Sequence, residues 1–542
     1  MPILFMEKCK EFINKRWFSI TVVIILLLQF FRLFSGHGIT DEHFYSALSY
    51  KMATYGSIFV DDWDIGQLFV FITIPFVKLY LALFHSTEGI VFYFRVLYLI
   101  LVTCTAGLIY LRFNKEYKNT RLAILIYLLF VPFNIASLSY NTLSINLLMQ
   151  SVCLYGLKQN KLFSFASGLL FACAVLASPY LSFAYFIVCI FILCKMIKTK
   201  KVDVDFVSSF IGIVIMAMAF LFTVLSGGSI KHIIANIIAT LNEPSYASSM
   251  VHSLFRVTYH CYRAFGLLFI PFVLGIIYES FKPSTKLRYI NYTLGAICIL
   301  FAIFVRPFDL SIGGHCVVNL ILTLMALPLL IRSKNKSIQC IYSLFIFHAF
   351  VISISSNVGI RSTANVLINS VVIFILLLQY DYVSDGFKSL VYGFVFVIYF
   401  YTRMFFNYIE PVNGNVQIDK GPLKYLVSDQ AFVDEYNRIY EELEIIDSLD
   451  ESKYLLIESD LSWIYLALQD KEVINYSLIR HIYPKEDIVN RIHEYLELNP
   501  YDQFYVYIMD NYYDVTIDDI FNDYEEISDK NLEFGKLYFK GR

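Results

Sequence analysis

Two adjacent carboxylates, Asp41 and Glu42, follow directly on the first long apolar run of the chain, residues 17–34. A charge at the centre of a bilayer costs about 2.5–3.5 kcal/mol, so acids beside a membrane span need a compensating role. If a helix begins just before Asp41, that side chain shares a face with Tyr45, whereas Glu42 points about 100° away. Asp41 could then serve as a general base in a cavity while Glu42 holds an arginine. The structural alternative is that both acids cap the helix.

A second acidic cluster, Asp61, Asp62 and Asp64, lies in the same loop and is followed by Gln67. Carboxylates this close together could orient an acceptor or hold a hard divalent cation, which is the one cofactor that the pattern suggests. A solvated turn is the alternative. We include these four residues, with Glu42 and Tyr45, among the candidate substrate-binding residues.

Three basic residues lie near span ends that we expect on the same side of the membrane as the acidic loop: Arg306, His315 and Arg361. A guanidinium suits a phosphate because its planar fork donates two parallel hydrogen bonds. The alternative for each residue is that its long or polar side chain reaches from the bilayer edge to water. The three are therefore candidate contacts for an anionic substrate.

Composition identifies the kind of protein that must position these side chains. The chain has 542 residues, of which 58% are hydrophobic and 17% aromatic, and its mean hydropathy is +0.60. Apolar runs of bilayer-spanning length recur up to residue 406, which predicts a polytopic α-helical membrane protein of about thirteen spans. Basic residues dominate before Asn407 and acidic residues after it, so a water-facing region follows the spans. We expect a multi-pass protein of the cell membrane, with no nucleic-acid partner.

Clusters of lysine and arginine predict the topology, because such residues concentrate in cytoplasmic loops. The clusters lie at residues 8–16, 112–121, 158–161, 195–201, 282–288 and 332–336. They place the N-terminus in the cytoplasm and the acidic loop outside. An odd number of crossings must then separate that loop from residue 158, so the apolar segment 67–84 is predicted to lie along the outer interface as a juxtamembrane helix. The alternative is that 67–84 crosses the membrane.

The tail, residues 407–542, is predicted to be an external α/β domain. Apolar residues recur with helical spacing in 428–446 and 487–496, whereas 454–457 and 504–508 have the composition of short strands. Helices that alternate with strands indicate a small layered domain. The predicted organisation is a transmembrane domain at 1–406, which contains the first external loop at 35–89, followed by this tail domain.

In this arrangement the chain resembles the C-type superfamily of membrane glycosyltransferases, in particular the bacterial family 39-like and aminoarabinose-transferase-like enzymes. The resemblance rests on a basic N-terminus, one span, and an external loop that opens with Asp41-Glu42. Tyr45, Gly56 and the segment 67–84 stand where the family has an aromatic residue, a glycine and a juxtamembrane helix. The spans and the external tail agree with the family's architecture over most of the chain, and the motif covers about residues 40–75.

The resemblance implies a function. In that family the loop aspartate is the general base and the donor is a sugar on a polyprenyl phosphate or pyrophosphate lipid, so Asp41 is the implied base of an inverting transfer. Two positions depart from the family: residues 65–68 lack its Glu-Lys-Pro-Pro stretch, and 178–180 read Ser-Pro-Tyr where relatives have a lysine. Both departures move the expected phosphate contact toward Arg361.

Two other classes of function are compatible with a polytopic chain. A transporter of lipid-linked glycans would require ionisable residues at mid-span depth, because its substrate crosses there. A membrane-anchored binding protein would use 407–542 as its binding module, but one helix would suffice as an anchor. The sequence favours an enzyme, because its acids lie at the membrane edge. The expected partners are a polyprenyl-linked sugar lipid, a glycan, lipid or protein acceptor, and the bilayer.

Overall fold

A computed structural model describes the chain over fourteen stretches, which are residues 2–38, 40–157, 160–242, 250–305, 310–355, 360–407, 410–411, 414–450, 453–457, 461–469, 471–474, 485–509, 514–527 and 532–541. Within these stretches the description excludes some further side chains, among them those of 2–15, 40, 310–317 and 361.

Helices account for almost all of the described chain up to residue 405. In order they are α1 Pro2–Arg32, α2 Thr40–Thr54, α3 Val70–Phe84, α4 Ile90–Phe113, α5 Thr120–Leu129, α6 Tyr140–Tyr155, α7 Lys161–Ala177, α8 Leu181–Thr199, α9 Val204–Ser226, α10 Ile230–Leu241, α11 Met250–Phe265, α12 Phe269–Phe281, α13 Thr285–Phe304, α14 Leu310–Ser333, α15 Lys336–Ser355, α16 Ile360–Val366, α17 Ile368–Leu377 and α18 Asp385–Phe405. A short 3-10 helix, Gln67–Phe69, leads into α3.

The chain is a polytopic helical membrane protein. Among the described residues, 7 helices are long and apolar enough to cross a membrane, and 5 shorter apolar helices accompany them. Many of their apolar side chains are exposed, as a hydrocarbon surrounding requires. These seven candidate spans agree with a polytopic helical protein, and the expected number of about thirteen passages stays a prediction.

The ends of the helices gather at two faces. At one face the chain meets its C-terminal part: Gly36 N–H donates to Val427 O (2.8 Å), and Gly89 N–H donates to Gly421 O (3.0 Å). We call this the domain face, and it carries residues 414–541. At the opposite face, Lys118 N–H donates to the Gln379 amide oxygen (3.0 Å). The predicted basic clusters at 112–121, 282–288 and 332–336 all lie at the opposite face.

Both ends of α3 lie at the domain face. Just before it, the ring of Trp63 packs edge-on against Tyr495 of the tail, with centroids 4.9 Å apart. Just after it, the Thr87 hydroxyl donates to Leu466 O (2.7 Å), also in the tail. A helix that crossed the bilayer would place its ends at opposite faces. Although α3 with its 3-10 turn is long and apolar enough to span, these contacts agree with a helix that lies along the interface.

The tail forms a small α/β domain. Its helices are α19 Gln430–Asp447, α20 Ile464–Ala467, α21 Lys485–Leu498 and α22 Ile517–Ile520, and its strands are β1 Phe406–Asn407, β2 Glu410–Pro411, β3 Val416–Gln417, β4 Val427–Ser428, β5 Lys453–Ile457, β6 Glu472–Val473, β7 Phe504–Met509, β8 Glu525–Glu526 and β9 Gly535–Lys540. The main sheet has the order β6-β5-β7-β9-β8. Strands β6, β5 and β7 are parallel, and β9 runs antiparallel to β7 and β8. The two helices and two strands expected in the tail are thus confirmed.

Residues far apart in sequence complete this domain at the membrane. Ser35, just after α1, forms a parallel bridge with Val427 in β4. The His37 imidazole stacks on the Phe432 ring, with centroids 3.6 Å apart. Lys424 pairs with Glu88 at 2.7 Å. The tail is therefore joined to the turn that follows α1 and to the start of α4.

A network of buried charges closes the opposite face. Arg288 of α13 is 0% exposed and contacts Asp381 at 3.1 Å and Glu279 at 3.5 Å. The Tyr292 hydroxyl donates to Asp381 (2.6 Å), and the Asn291 amide donates to Glu279 (2.6 Å). Buried charges need such partners because water cannot solvate them. The network ties α12, α13 and the segment after α17 together.

Candidate active site

The helix that presents Asp41 starts in a tight turn after α1. Helix α2 begins at Thr40, as the position of the acids predicts. Gly38 has φ +88°, and a Cβ there would lie 2.4 Å from Glu42 Oε2 and 2.9 Å from His43 Nε2. Only glycine fits this backbone conformation and this space. The turn therefore packs Glu42 and His43, near the start of α2, directly against Gly38.

Glu42 does not line the cavity described below; it holds an arginine, one of the two roles considered for it. The Arg95 guanidinium of α4 donates to both carboxylate oxygens of Glu42, at 2.7 and 2.8 Å. Arg95 also donates to the carbonyl oxygens of Leu33 (2.6 Å), Ser35 and Gly36. Arg95 and Glu42 are each only 3% exposed. Glu42 thus fixes the start of α2, and its assignment as a substrate contact stays a prediction.

His43 completes this anchor as a neutral side chain. Its Nε2–H donates to the carbonyl oxygen of His37 (2.8 Å). Burial lowers the pKa of His43 to about 4, because the low-dielectric surroundings disfavour the charged imidazolium. At neutral pH the turn therefore contains one ion pair and an uncharged imidazole.

Asp41 is partly exposed and lines a cavity of about 410 Å³ at the domain face. Four groups of residues contribute to its lining, which includes Phe44, Tyr45, Phe59, Asp64, Ile65, Gly66, Leu68, Tyr140, Asn141, Ser178, Pro179, Tyr180, Ile237, Thr240, Leu241, Ile352, Ser355 and Ser362. The lining thus comes from α2, the acidic loop, the α7–α8 turn and α10, with two residues each from α6 and α15 and one from α16. Within this described lining, Asp41 and Asp64 are the charged residues.

An aromatic wall stands beside Asp41. Tyr45, one helical turn further along α2, packs edge-on against Tyr140 with centroids 5.7 Å apart. Phe69 packs edge-on against Tyr45 at 5.8 Å. Tyr45 therefore shares the cavity face of α2 with Asp41, as the helical spacing predicts. Phenol rings combine an apolar face with a polar edge, which suits a sugar ring or its hydroxyls.

The acidic cluster is divided between the cavity and the protein interior. Asp64 lines the cavity, and its Oδ1 accepts from the Gly66 N–H at 2.7 Å. Asp62 is 0% exposed, lies 3.4 Å from Lys51 Nζ, and caps the backbone at Asp64. Asp61 accepts from the Ser57 N–H (2.7 Å). Burial raises the pKa of Asp61, and the charge of Lys51 offsets part of that rise.

Asp61, Asp62 and Gln67 are therefore structural residues of the loop. Gln67 accepts from the Phe59 N–H (2.7 Å) and donates to Asp62 O (3.1 Å), and it is 0% exposed. Because the three carboxylates serve separate contacts, the loop does not form a shared binding site from them. Over the part of the chain that the structure describes, no group of three or more His, Cys, Asp or Glu residues could hold a metal ion.

The three basic candidates fall at the edge of the described chain. Arg306 lies outside the described residues. His315 is on α14 and Arg361 is on α16, but the side chains of both lie outside the description. Arg361 immediately precedes Ser362, which lines the cavity. Arg361 is therefore next in sequence to a lining residue, and the roles of Arg361 and His315 stay predictions.

Several lining residues carry no signal in the sequence. Tyr140 and Asn141 begin α6, capped by Ser139, whose hydroxyl accepts from Thr142 N–H (3.1 Å). Thr240 belongs to α10. One face of this helix is apolar, and another face packs against the rest of the protein. The capping pattern predicts where α6 begins but not what it faces. Ser178-Pro179-Tyr180, the segment that departs from the family's lysine, also lines the cavity.

Comparisons with known proteins provide little further information. No family model matches the chain, and no curated protein matches it. Among solved structures, the crystal structure of ArnT from Cupriavidus metallidurans bound to undecaprenyl phosphate is similar with a TM-score of 0.40 and 9% identity, over 96% of this chain and 98% of that chain. A likeness of this size carries no argument about fold or activity, so the site stands on its own contacts.

Proposed function

We propose that the chain is a membrane glycosyltransferase. It moves a sugar from a polyprenyl-phosphate-type lipid to an acceptor hydroxyl at the domain face, which we take to be the outer face of the cell membrane. The acceptor is a glycan, a lipid or a protein. The observation that carries the proposal is that Asp41 lines a cavity at the membrane edge while its neighbour Glu42 is fixed by Arg95.

Asp41 would act as the general base of an inverting transfer. The acceptor oxygen attacks the anomeric carbon of the sugar, and its proton passes to the Asp41 carboxylate. The bond between the anomeric carbon and the phosphate oxygen breaks, and the lipid phosphate leaves with the electron pair. A partly exposed carboxylate can accept that proton and then release it to water. Asp64, the other described charge in the lining, would orient the acceptor hydroxyls.

The edge of the cavity supports a lipid donor. Tyr180 and Leu241 both line the cavity and are 40% and 69% exposed. Leu241 ends a row of exposed apolar residues on one face of α10, with Ile230, Ile234 and Ile238. Such a row belongs against hydrocarbon. A polyprenyl donor could therefore reach Asp41 sideways from the bilayer.

The leaving phosphate requires a positive partner, because the two described charges of the lining are both negative. Arg361 is our candidate, since its neighbour Ser362 lines the cavity. A guanidinium would stabilise the charge that grows on the phosphate as the glycosidic bond breaks. A divalent cation is the alternative source of positive charge.

The distribution of buried charge favours this enzyme over a transporter. The ion pair of Arg95 and Glu42 lies at the domain face, and the network around Arg288 lies at the opposite face. A transporter of a charged glycan lipid would need such ion pairs between these two levels, where the described residues include one buried histidine, His348, without a charged partner.

An Asp41→Asn variant tests the proposal. Purified protein in liposomes would be given a panel of polyprenyl-phosphate-linked hexoses and pentoses, and sugar release from the lipid would be measured. General bases contribute about 10²–10⁴-fold, so the variant should lose at least about a hundredfold in turnover while its thermal unfolding stays unchanged. Asp434→Asn, an exposed position on α19, is the matched control. Near-normal turnover of Asp41→Asn would exclude Asp41 as the base.

A further inference from the structure

One helix of the tail domain touches two separate walls of the cavity. Helix α21 carries Arg491 and Tyr495, which are 4% and 1% exposed. Arg491 contacts Trp63 of the acidic loop and Ala239 of α10. These two residues immediately precede Asp64 and Thr240, which line the cavity.

Trp63 is held between two side chains of α21. The Arg491 guanidinium lies 4.2 Å from the centre of the Trp63 ring, and the Tyr495 ring meets it edge-on at 4.9 Å. Trp63 is 0% exposed and belongs to the same buried apolar cluster as Ile488 and Ile492 of α21. The loop that carries Asp64 is thus packed into the core of the tail domain. A desolvated cation over an indole contributes about 2 kcal/mol in typical cases, so this contact is a substantial one.

The same helix fixes α10. The Arg491 guanidinium donates to Ala239 O at 2.5 Å, and Ala239 lies in the same apolar cluster as Trp63. Asn236 of α10 accepts from Trp63 Nε1–H (2.6 Å) and from the Asn499 amide (3.1 Å). Hydrogen bonds therefore connect the loop, α10 and the residue that follows α21 at one junction.

We propose that Arg491 and Trp63 are positioning residues of the transferase site. Through them the tail domain fixes the distance between the wall with Asp64 and the wall with Thr240. The proposal rests on the transferase function above, and it assigns the tail domain to the mouth of the cavity. Asp41 lies on α2, whose start is held by Arg95, so the base itself does not depend on α21.

This division predicts a specific kinetic result. If Arg491 fixes the distance between the two cavity walls that orient the acceptor, its loss weakens acceptor binding more than it slows the chemical step. Arg491→Ala should raise the KM for the acceptor about tenfold and change kcat by less than about twofold. Arg491→Lys keeps the charge but loses the planar group over the indole, so it should recover only part of the loss.

Hydrogen–deuterium exchange of the full-length protein provides a readout that does not depend on activity. Arg491→Ala should raise the exchange rate in 57–69 and 230–241 about tenfold or more, with 40–54 unchanged. Trp63→Phe keeps a ring in the core but loses the donor to Asn236, so it should raise exchange in 230–241. Arg438→Ala is the matched control, because Arg438 pairs with Glu533 on the exposed side of the tail and is 54% exposed.

Each outcome has a distinct meaning. Unchanged exchange in 57–69 and 230–241 in both Arg491→Ala and Trp63→Phe would overturn the proposal. An equal change with Arg438→Ala would also overturn it. If exchange responds as expected but the unmodified protein transfers no sugar from any donor of the panel, then the transferase function fails while the junction between α21 and the two walls stands.

Discussion

Arg95 is the residue on which the arrangement around Asp41 depends most. One side chain on α4 binds Glu42 with two hydrogen bonds and also satisfies three carbonyl oxygens of the turn that follows α1. Buried backbone carbonyls need hydrogen-bond donors, so an arginine that binds three of them also fixes the path of this turn. The position of Asp41 therefore follows from that of Arg95.

We expect Arg95→Ala to destabilise the protein by about 3–5 kcal/mol, because it leaves the Glu42 carboxylate buried without its counter-charge. The free energy of unfolding would be measured by denaturant titration of the protein in detergent. A double variant, Arg95→Met with Glu42→Leu, removes both charges and should recover a large part of the loss.

The control for this prediction is Arg438→Ala, which removes an exposed ion pair and should cost less than about 1 kcal/mol. Equal effects of Arg95→Ala and Arg438→Ala would contradict the role assigned to Arg95.

At this scale the sequence predicts part of the site. The helical angle between Asp41 and Glu42 predicts that the two side chains point in different directions, and Asp41 does line the cavity while Glu42 binds an arginine. It does not identify Arg95, because that partner comes from another helix and only tertiary packing brings the two together. The acidic cluster likewise suggests one shared site from sequence. In the fold its members have separate contacts, because Lys51 pairs with Asp62 while Asp64 lines the cavity.

Among the elements, α3 shows where hydropathy is insufficient. The segment from Gln67 to Phe84 has the length and composition of a span. Hydropathy measures how much apolar surface a helix presents, but not its angle to the bilayer. The number of crossings required by the basic clusters favours an interfacial α3 from sequence, and the tail contacts on both sides of α3 agree with it.

We expect Lys78→Cys to be labelled by a membrane-impermeant thiol reagent added to the domain face. Lys78 lies in the middle of α3 and is exposed, so an interfacial helix keeps it at the water boundary. Labelling would be compared with the parent protein, which has its own cysteines, in sealed vesicles of both orientations.

Two further variants calibrate the α3 measurement. Leu221→Cys, on the lipid-facing side of α9, should stay unlabelled from both sides, and Lys282→Cys should react from the opposite face only. A Lys78→Cys variant that behaves like Leu221→Cys would show that α3 crosses the membrane.

For the whole molecule, the two faces differ in how they are closed. The domain face is covered by the tail, whereas the opposite face is closed by the network of Arg288, Asp381 and Glu279. The candidate site lies at the domain face, so we expect the opposite network to contribute to stability and not to the proposed transfer.

Arg288→Ala should lower the free energy of unfolding by about 3–5 kcal/mol, because two carboxylates then remain buried without a cation. Below the unfolding temperature, the KM for the acceptor should not change. Unfolding and sugar transfer would be measured on the same preparation, and Lys388→Ala, which removes a pair with the exposed carboxylate of Asp385, is the control. A raised KM would show that the two faces are coupled.

The sequence predicts the architecture of the whole molecule better than its site. Apolar run lengths, basic clusters and the acidic tail give the spans, the two faces and the α/β domain. They do not predict that Arg491 of α21 contacts both Trp63 and Ala239, because contacts between distant segments produce no periodic pattern in the sequence. The bridge between Ser35 and Val427 is another contact of this kind.

That bridge has a consequence for biosynthesis. Phe34 O accepts from the Val427 N–H (2.7 Å), and His37 shares a hydrogen bond with Ser428 across 391 positions of sequence. The turn before Asp41 leaves the ribosome early, yet its backbone partners are made only after every transmembrane helix. We therefore expect the turn before Asp41 to reach its folded arrangement only after the region around Val427 has been translated.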